Sequence, residues 1–336
     1  MRILKGIQRI PGGMMIVPLL IAAIIHTFAP KALEIGSFTS AIFSSKGLDA
    51  MIGLQLFFVG TRLKLRQAPE ALKRGIVLLI AKYAAGALFG LLIAKIFGLG
   101  GIIGISVLAI ISTMTGANGG LYLSLIGTYG DTEDAAAMSL LNIHDGPFLT
   151  MLTLGVTGLA HIPLINLVAA IVPLVVGAIL GNLDDDFQKL FSPGLPIVIP
   201  FIGFTIGGGI DLGSILKAGI NGIILALLVV VIGGGITVLA DKYILRRPGY
   251  AGTALASSSG NSIANPAVIA SIDAAYKPFV SAATAEIASA VVLTAIFVPL
   301  LTAFMAKKFG SGRVEVDNTV SSNQEVELAS NWMSPK

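Results

Sequence analysis

The side chains able to do chemistry lie in two polar runs and a few isolated residues, all set in apolar sequence. The runs are Thr113-Met-Thr-Gly-Ala-Asn-Gly-Gly120 and Ala256-Ser-Ser-Ser-Gly-Asn-Ser-Ile-Ala-Asn-Pro266, and the isolated residues are Lys82, Asn142, His144, Asp145 and Glu286. Hydroxyls, amides and free backbone N–H groups bind a polar ligand without making or breaking its bonds. Ionisable groups at membrane depth are costly and mark proton or ion pathways. Glu286 is the first candidate to carry a coupling proton and Asp145 the second, with Asn142 standing 144 residues before Glu286 in the same place of the other half. Covalent catalysis finds no support. His144 and Asp145 are neighbours and point to different faces of a helix, and no nucleophile stands at a recognisable spacing from them. There is no cysteine, and His26, His144 and His161 lack metal-ligand spacing. Neither catalytic residues, metal ligands nor a cofactor are expected, and the chain does not read as an enzyme.

Each polar run interrupts a stretch long enough to cross a bilayer. A broken helix leaves backbone groups that lipid cannot satisfy, so the break must lie beside protein or a water-filled cavity. Gly116, Gly119 and Gly120 permit an unwound backbone, and Asn118 is placed to cap a helix restarting at Gly119. Asn265 followed by Pro266 reads as the N-cap and first residue of a second restarting helix. Two such starts aim free N–H groups and positive dipole ends into one cavity, a site for an anionic group such as a carboxylate. The hydroxyls and amides nearby suit a sugar. The substrate-binding candidates are therefore Thr115, Asn118, Gly119, Ser258, Ser259, Asn261 and Asn265. Small residues also let helices pack closely, but packing requires neither two Asn nor so many hydroxyls. Asp145 has an alternative use, capping groups freed by Pro147; Glu286 has another, pairing with Lys82. Lys82 itself can snorkel to the interface or meet substrate. The basic loop from Arg62 to Arg74 reads as a topology signal. Asp184-Asp-Asp186 reads as a solvated loop, without the spaced ligands of a calcium loop.

The elements that position these residues follow from composition. Of 336 residues 55% are hydrophobic and 12% charged, about half the charge of an ordinary soluble domain, and the mean hydropathy is +0.89. The chain therefore partners the lipid bilayer, and its +4 net charge, spread over loops, is no nucleic-acid signal. Apolar windows near the ~20 residues needed to cross fall at about 11–29, 47–63, 75–97, 101–126, 134–159, 162–181, 195–212, 219–240, 251–272 and 278–306. The first window reads as a retained span rather than a cleaved leader. With the N-terminus inside, sixteen of the 22 Lys and Arg lie in inside loops and five in outside loops, Lys82 being within span three. That bias places both termini in the cytoplasm.

Ile16-Val-Pro-Leu19 recurs as Ile171-Val-Pro-Leu174, Gly60-Thr-Arg-Leu-Lys-Leu65 is echoed by Gly207-Gly-Gly-Ile-Asp-Leu212, and Thr115-Gly116 by Ser259-Gly260. The ordered offsets of 155, 147 and 144 predict two five-span units. An odd number of spans inverts the second against the first. The expected fold is all-α: ten transmembrane helices as two inverted repeats, residues 1–160 and 161–309, with discontinuous spans four and nine crossing. A disordered cytoplasmic tail is expected over 310–336. Oligomeric state is not legible.

Ile10-Pro-Gly-Gly-Met-Met15, Asn118-Gly-Gly-Leu-Tyr122, Gly181-Asn-Leu-Asp184, Ile199-Pro-Phe201 with Gly209-Ile-Asp-Leu212, and Gly252-Thr-Ala254 with Ser257-Ser-Ser-Gly260 resemble the bacterial 2-keto-3-deoxygluconate permeases. The likeness runs from about residue 7 to 308. It implies proton-coupled uptake of 2-keto-3-deoxygluconate, a small sugar acid, across the bacterial inner membrane. It also implies the bile-acid-sodium-symporter-like fold of two inverted five-span units with crossed broken helices. The residue types leave proton and sodium coupling open, so a sodium-coupled organic-anion symporter is the nearest alternative. A cation/proton antiporter of similar fold would need a deep acidic pair, and spans four and nine contain no acid.

Overall fold

The computed structural model describes residues 2–312 apart from 11–12, 34, 44, 65–68, 192 and 209–218. The helices are α1 (Ile3–Gln8), α2 (Gly13–Phe28), α3 (Ser37–Ile42), α4 (Ser45–Thr61), α5 (Pro69–Phe97), α6 (Val107–Met114), α7 (Gly119–Tyr129) and α8 (Thr132–Leu141). They continue as α9 (Phe148–Val156), α10 (Leu164–Leu183), α11 (Asp185–Phe191), α12 (Gly194–Gly207), α13 (Gly219–Ile244), α14 (Tyr250–Ala254), α15 (Asn265–Ile272) and α16 (Val280–Phe309). Among the described residues the only β pairing is an isolated bridge between Ile102 and Ile105. Five helical stretches are long and apolar enough to cross a membrane: α5, α10, α11 with α12, α13, and Ala274–Phe309 ending in α16. The protein is an all-helical, multi-pass membrane protein. The tail beyond Gly312 lies outside the described residues, as do residues 209–212 of the second Gly60 echo.

Three apolar segments come apart part-way. The first opens between α6 and α7, where Asn118 accepts from the Leu121 N–H at 3.0 Å, the cap anticipated from its position. The second opens between α14 and α15. Here the expectation for Asn265 fails: it is the first helical residue of α15, and it follows directly on a 3₁₀ turn over Gly260–Ala264. The turn's cap is Ser259, whose side chain accepts from the Asn261 N–H. The free amides of this break therefore lie six residues earlier than Pro266 suggested, and Pro266 occupies a first-turn position where a missing N–H costs nothing. The third break lies between α8 and α9, around the Pro147 that the sequence marks as freeing backbone groups. A 3₁₀ turn over Asn142–His144 leads into Gly146 at φ +120°. A side chain there would be strained, and the following Pro147 supplies no N–H.

Two helix groups are recognisable by packing. In the first, α2 runs along α12 and α4 along α10, backbone to backbone. A Cβ on Gly203 or Gly207 would overlap the carbonyl of Met15 or Leu19, and one on Gly60, Gly177 or Gly181 that of Leu174, Phe57 or Thr61. Small residues at helix contacts are how membrane helices gain van der Waals energy without a hydrophobic driving force. The outer face of α10 exposes Ile165, Val168, Val172, Val175 and Ile179, a surface suited to lipid. In the second group α5 packs on α6 and α8, and α13 packs on α16. All eight residues of α6 are buried. One end of this group is fastened by ions. Arg74 holds Asp131 at 2.6 Å and Asp134 at 3.0 Å, while Arg247 and Tyr250 also engage the buried Asp134.

Gly60→Val or Gly207→Val should lower stability by about 1–3 kcal/mol through overpacking, read as a drop in the melting temperature of the purified protein. Gly53→Ala, at a position with no atom within 4 Å of the added carbon, should leave it unchanged. Equal melting temperatures for all three would contradict the close pairing of α4 with α10 and α2 with α12.

Candidate functional site

The unwound segments are hydrogen-bonded to each other. The Asn118 N–H donates to Ser257 Oγ at 3.2 Å, and Ser258 Oγ donates to the Thr113 carbonyl at 3.2 Å. Gly116 leaves so little room that a Cβ would overlap Ser262 Oγ. The two breaks thus cross at van der Waals distance, and Gly116 is where the approach requires glycine. The carbonyls that a helix would have bonded find side chains instead. Lys82, fully buried on α5, donates from Nζ to the Ser257 carbonyl at 3.1 Å. His144 Nδ1 lies 2.7 Å from the Thr115 carbonyl. Snorkelling therefore does not describe Lys82: its Nζ serves the crossing.

Beside the crossing lies a cavity of about 420 Å³. Asn118, Gly119 and Gly120 present the start of α7 to it, and Ser259, Gly260 and Asn261 present the turn that leads into α15. Met15, Leu195 and Ile199 from the first helix group form an apolar wall. Asp145, set in the break between α8 and α9, also lines the cavity. Its Oδ1 accepts from Ser259 Oγ at 2.6 Å and from Asn261 Nδ2 at 2.5 Å. Capping its own helix is thus not what Asp145 does; it ties the third break to the second. Such a chamber combines a dipole end, neutral donors and acceptors, and one carboxylate. Such groups suit the binding of a small polar anion. Among the described residues no group of three His, Asp or Glu is placed to hold a metal ion.

Of the substrate-binding residues expected from sequence, Asn118, Gly119, Ser259 and Asn261 face the cavity. Thr115, Ser258 and Asn265 are buried behind it. Thr115 Oγ1 donates to the Ile111 carbonyl of α6 at 2.7 Å, and Asn265 Nδ2 donates to Thr150 Oγ1 of α9 at 2.9 Å. Asn142 is buried, its Oδ1 near Gly119. Glu286 stands apart, buried on α16. Its Oε1 accepts from Asn221 Nδ2 of α13 at 3.1 Å, and its Oε2 has no hydrogen-bond partner among the described residues. Its neighbours Ala285 and Ser289 line a separate, mostly apolar cavity of about 200 Å³ against α2. Arg62, which in sequence has only the look of a topology signal, follows α4 and lines the main cavity. Only the fold shows that this end of the span meets the cavity.

The chain matches the family model described as 2-keto-3-deoxygluconate permease over residues 4–311. It is similar to "2-keto-3-deoxygluconate permease 1" of Salmonella typhimurium, with 44% identity over 308 residues, 92% of this chain and 96% of the relative. It is also similar to the 2-keto-3-deoxygluconate permeases of Bacillus subtilis, 40% identical over 92% of this chain and 94% of the relative, and of Tolumonas auensis, 40% over 93% and 94%.

The bridge from Asp145 to Ser259 is open to a double-mutant cycle. Asp145→Ala and Ser259→Ala should each destabilise the purified protein and show a coupling energy of about 0.5–3 kcal/mol, as contacting residues do. Strict additivity would mean that the breaks are not joined through this carboxylate.

Proposed function

The chain belongs to the 2-keto-3-deoxygluconate permease family, and on that footing we propose that it takes up 2-keto-3-deoxygluconate by proton-coupled alternating access across a bacterial inner membrane, with both termini cytoplasmic. The observation that carries the reading is the cavity at the crossed breaks. A small acid with several hydroxyls needs an anion-favouring helix start and neutral hydrogen-bonding groups, and Asn118 to Gly120 and Ser259 to Asn261 line one chamber. Buried Thr115, Ser258 and Asn265 act as positioning residues behind that wall. In this reading the coupling proton rides on Asp145 or Glu286, with Asn142 the counterpart of Glu286 in the other repeat. Asp145 is favoured because it faces the cavity.

The proposed architecture is ten spans in two inverted units, 1–160 and 161–309. Its support is a symmetry of contacts. Gly60 sits on the carbonyl of Leu174, and Gly207 on that of Leu19. The sequence echoes pair the same residues, Gly60 with Gly207 and Leu19 with Leu174. Inverted repeats produce such matched pairs at a scaffold. The α2–α12 and α4–α10 pairs are proposed as that scaffold, against which the group holding α5 to α9 and α13 to α16 moves. Substrate must favour one of the two states to bias that motion.

Proteoliposomes holding the purified chain should accumulate labelled 2-keto-3-deoxygluconate when the outside is made acidic, without sodium. Asp145→Asn should abolish gradient-driven accumulation while retaining exchange of internal for external substrate. Uptake that ignores the pH gradient and follows sodium would replace the proton by a sodium ion; absence of uptake under both gradients would refute the transport reading.

A further inference from the structure

Resting on that reading, we propose that Lys82 is a tethered cation: its head group stands at the crossing in the place where a free metal cation would be held, and it frees the carrier from sodium. In carriers with broken helices, unwound carbonyls and the C-terminal ends of half-helices hold the coupling cation. Here α6 and α14 end at the two breaks, and the carbonyl dipoles at such ends favour positive charge. The protein's own side chains already occupy these oxygens. Ser258 Oγ donates to the Thr113 carbonyl, His144 Nδ1 lies against that of Thr115, and Lys82 Nζ donates to that of Ser257 at 3.1 Å. With its proton on, the Lys82 head carries the charge that a metal ion would bring.

Its setting is unlike that of an ordinary ion pair. Lys82 is fully buried, and it takes part in none of the ion pairs among the described residues. The carboxylates of neighbouring elements are engaged elsewhere. Asp145 accepts from Ser259 and Asn261, and Asp241 of α13 from the Gly252 N–H at 2.9 Å. Glu286 accepts from Asn221, so the pairing of Glu286 with Lys82 that the sequence allows is not formed. On its other side Nζ faces Gly233, in a π-helical turn of α13 over Val229–Gly234; a side-chain carbon there would lie 3.5 Å away. The head is thus enclosed between α13 and the second break, where carbonyls and not an anion offset its charge. A bonded chain carries its effect to the cavity. Lys82 holds the Ser257 carbonyl, Ser257 Oγ accepts from the Asn118 N–H, and Asn118 lines the cavity. Lys82 is therefore a positioning residue for the substrate wall, and a cation that cannot leave. Coupling falls to a proton held on a carboxylate, because no metal ion is bound at or released from the crossing.

The test is equilibrium binding of labelled 2-keto-3-deoxygluconate to the purified full chain in lipid nanodiscs, in mildly acidic medium. Choline and methylammonium are compared as the salt cation for every protein, and sodium also for wild type. Wild-type protein should bind within about twofold in all three. Lys82→Met fills the space without the charge and should bind roughly tenfold more weakly in both media. Lys82→Ala leaves the space open. It should bind roughly tenfold more weakly in choline, and methylammonium, which has the lysine head group, should restore most of that loss. Melting temperature is the second readout: methylammonium should raise it in Lys82→Ala, as a ligand of the folded state does, and leave wild type and Lys82→Met unchanged. Wild-type binding that requires sodium, wild-type affinity in Lys82→Met, or a Lys82→Ala protein that methylammonium moves in neither readout overturns the tethered cation and leaves the transport reading standing. Should neither variant fold, the sodium dependence of wild type decides. Wild-type protein that binds no acid in any medium takes down the transport reading, and the melting temperatures then decide on Lys82 alone.

Discussion

A peptide group inside a membrane must find a partner within the protein, and this constraint shapes the whole molecule. Three apolar segments come apart part-way, and several of the freed groups are met by another opened segment or by a side chain placed for them. The Asn118 amide meets Ser257, the Ser257 carbonyl meets Lys82, and the Thr115 carbonyl meets His144. These polar bonds are isolated from water, so each lost partner costs the full desolvation of the group left behind. The crossing is accordingly enclosed by helices, with the cavity beside it.

The same economy explains which residues face the cavity and which do not. Thr115, Ser258 and Asn265 look like ligands in sequence because hydroxyls and amides in apolar segments are conspicuous. Each is engaged inside the protein: Thr115 by the Ile111 carbonyl, Ser258 by the Thr113 carbonyl and Asn265 by Thr150 Oγ1. What remains available is the start of α7, the turn before α15, and Asp145, which is bonded to that turn. The amides of a half-helix can be offered to a ligand only when other groups hold the crossing rigid.

Much of this was legible before any coordinates. Hydropathy marked the membrane segments, glycines and Asn118 marked the first break, and the polar run from Ser257 to Asn261 marked the second. The echo of Gly60 in Gly207 and of Leu19 in Leu174 pointed to residues that the fold brings against each other in matched pairs. Two things were hidden for physical reasons. Asn265 with Pro266 has the form of a helix start, yet the preceding 3₁₀ turn moves the free amides to Ser259; turn type depends on tertiary bonds that no dipeptide reports. Arg62 is an ordinary basic residue after a span until the fold places it on the wall of the cavity. Asp145 was recognised as costly, but its partners come from a segment more than a hundred residues away.

The proposed account holds that a small acid occupies the chamber between the start of α7 and the turn before α15. An experimental structure of the chain with bound 2-keto-3-deoxygluconate tests this most directly. The account predicts ligand density in contact with Asn118 to Gly120 and Ser259 to Asn261. Ligand density seated instead between α2 and α16, or an unoccupied crossing with the ligand bound elsewhere, would contradict it.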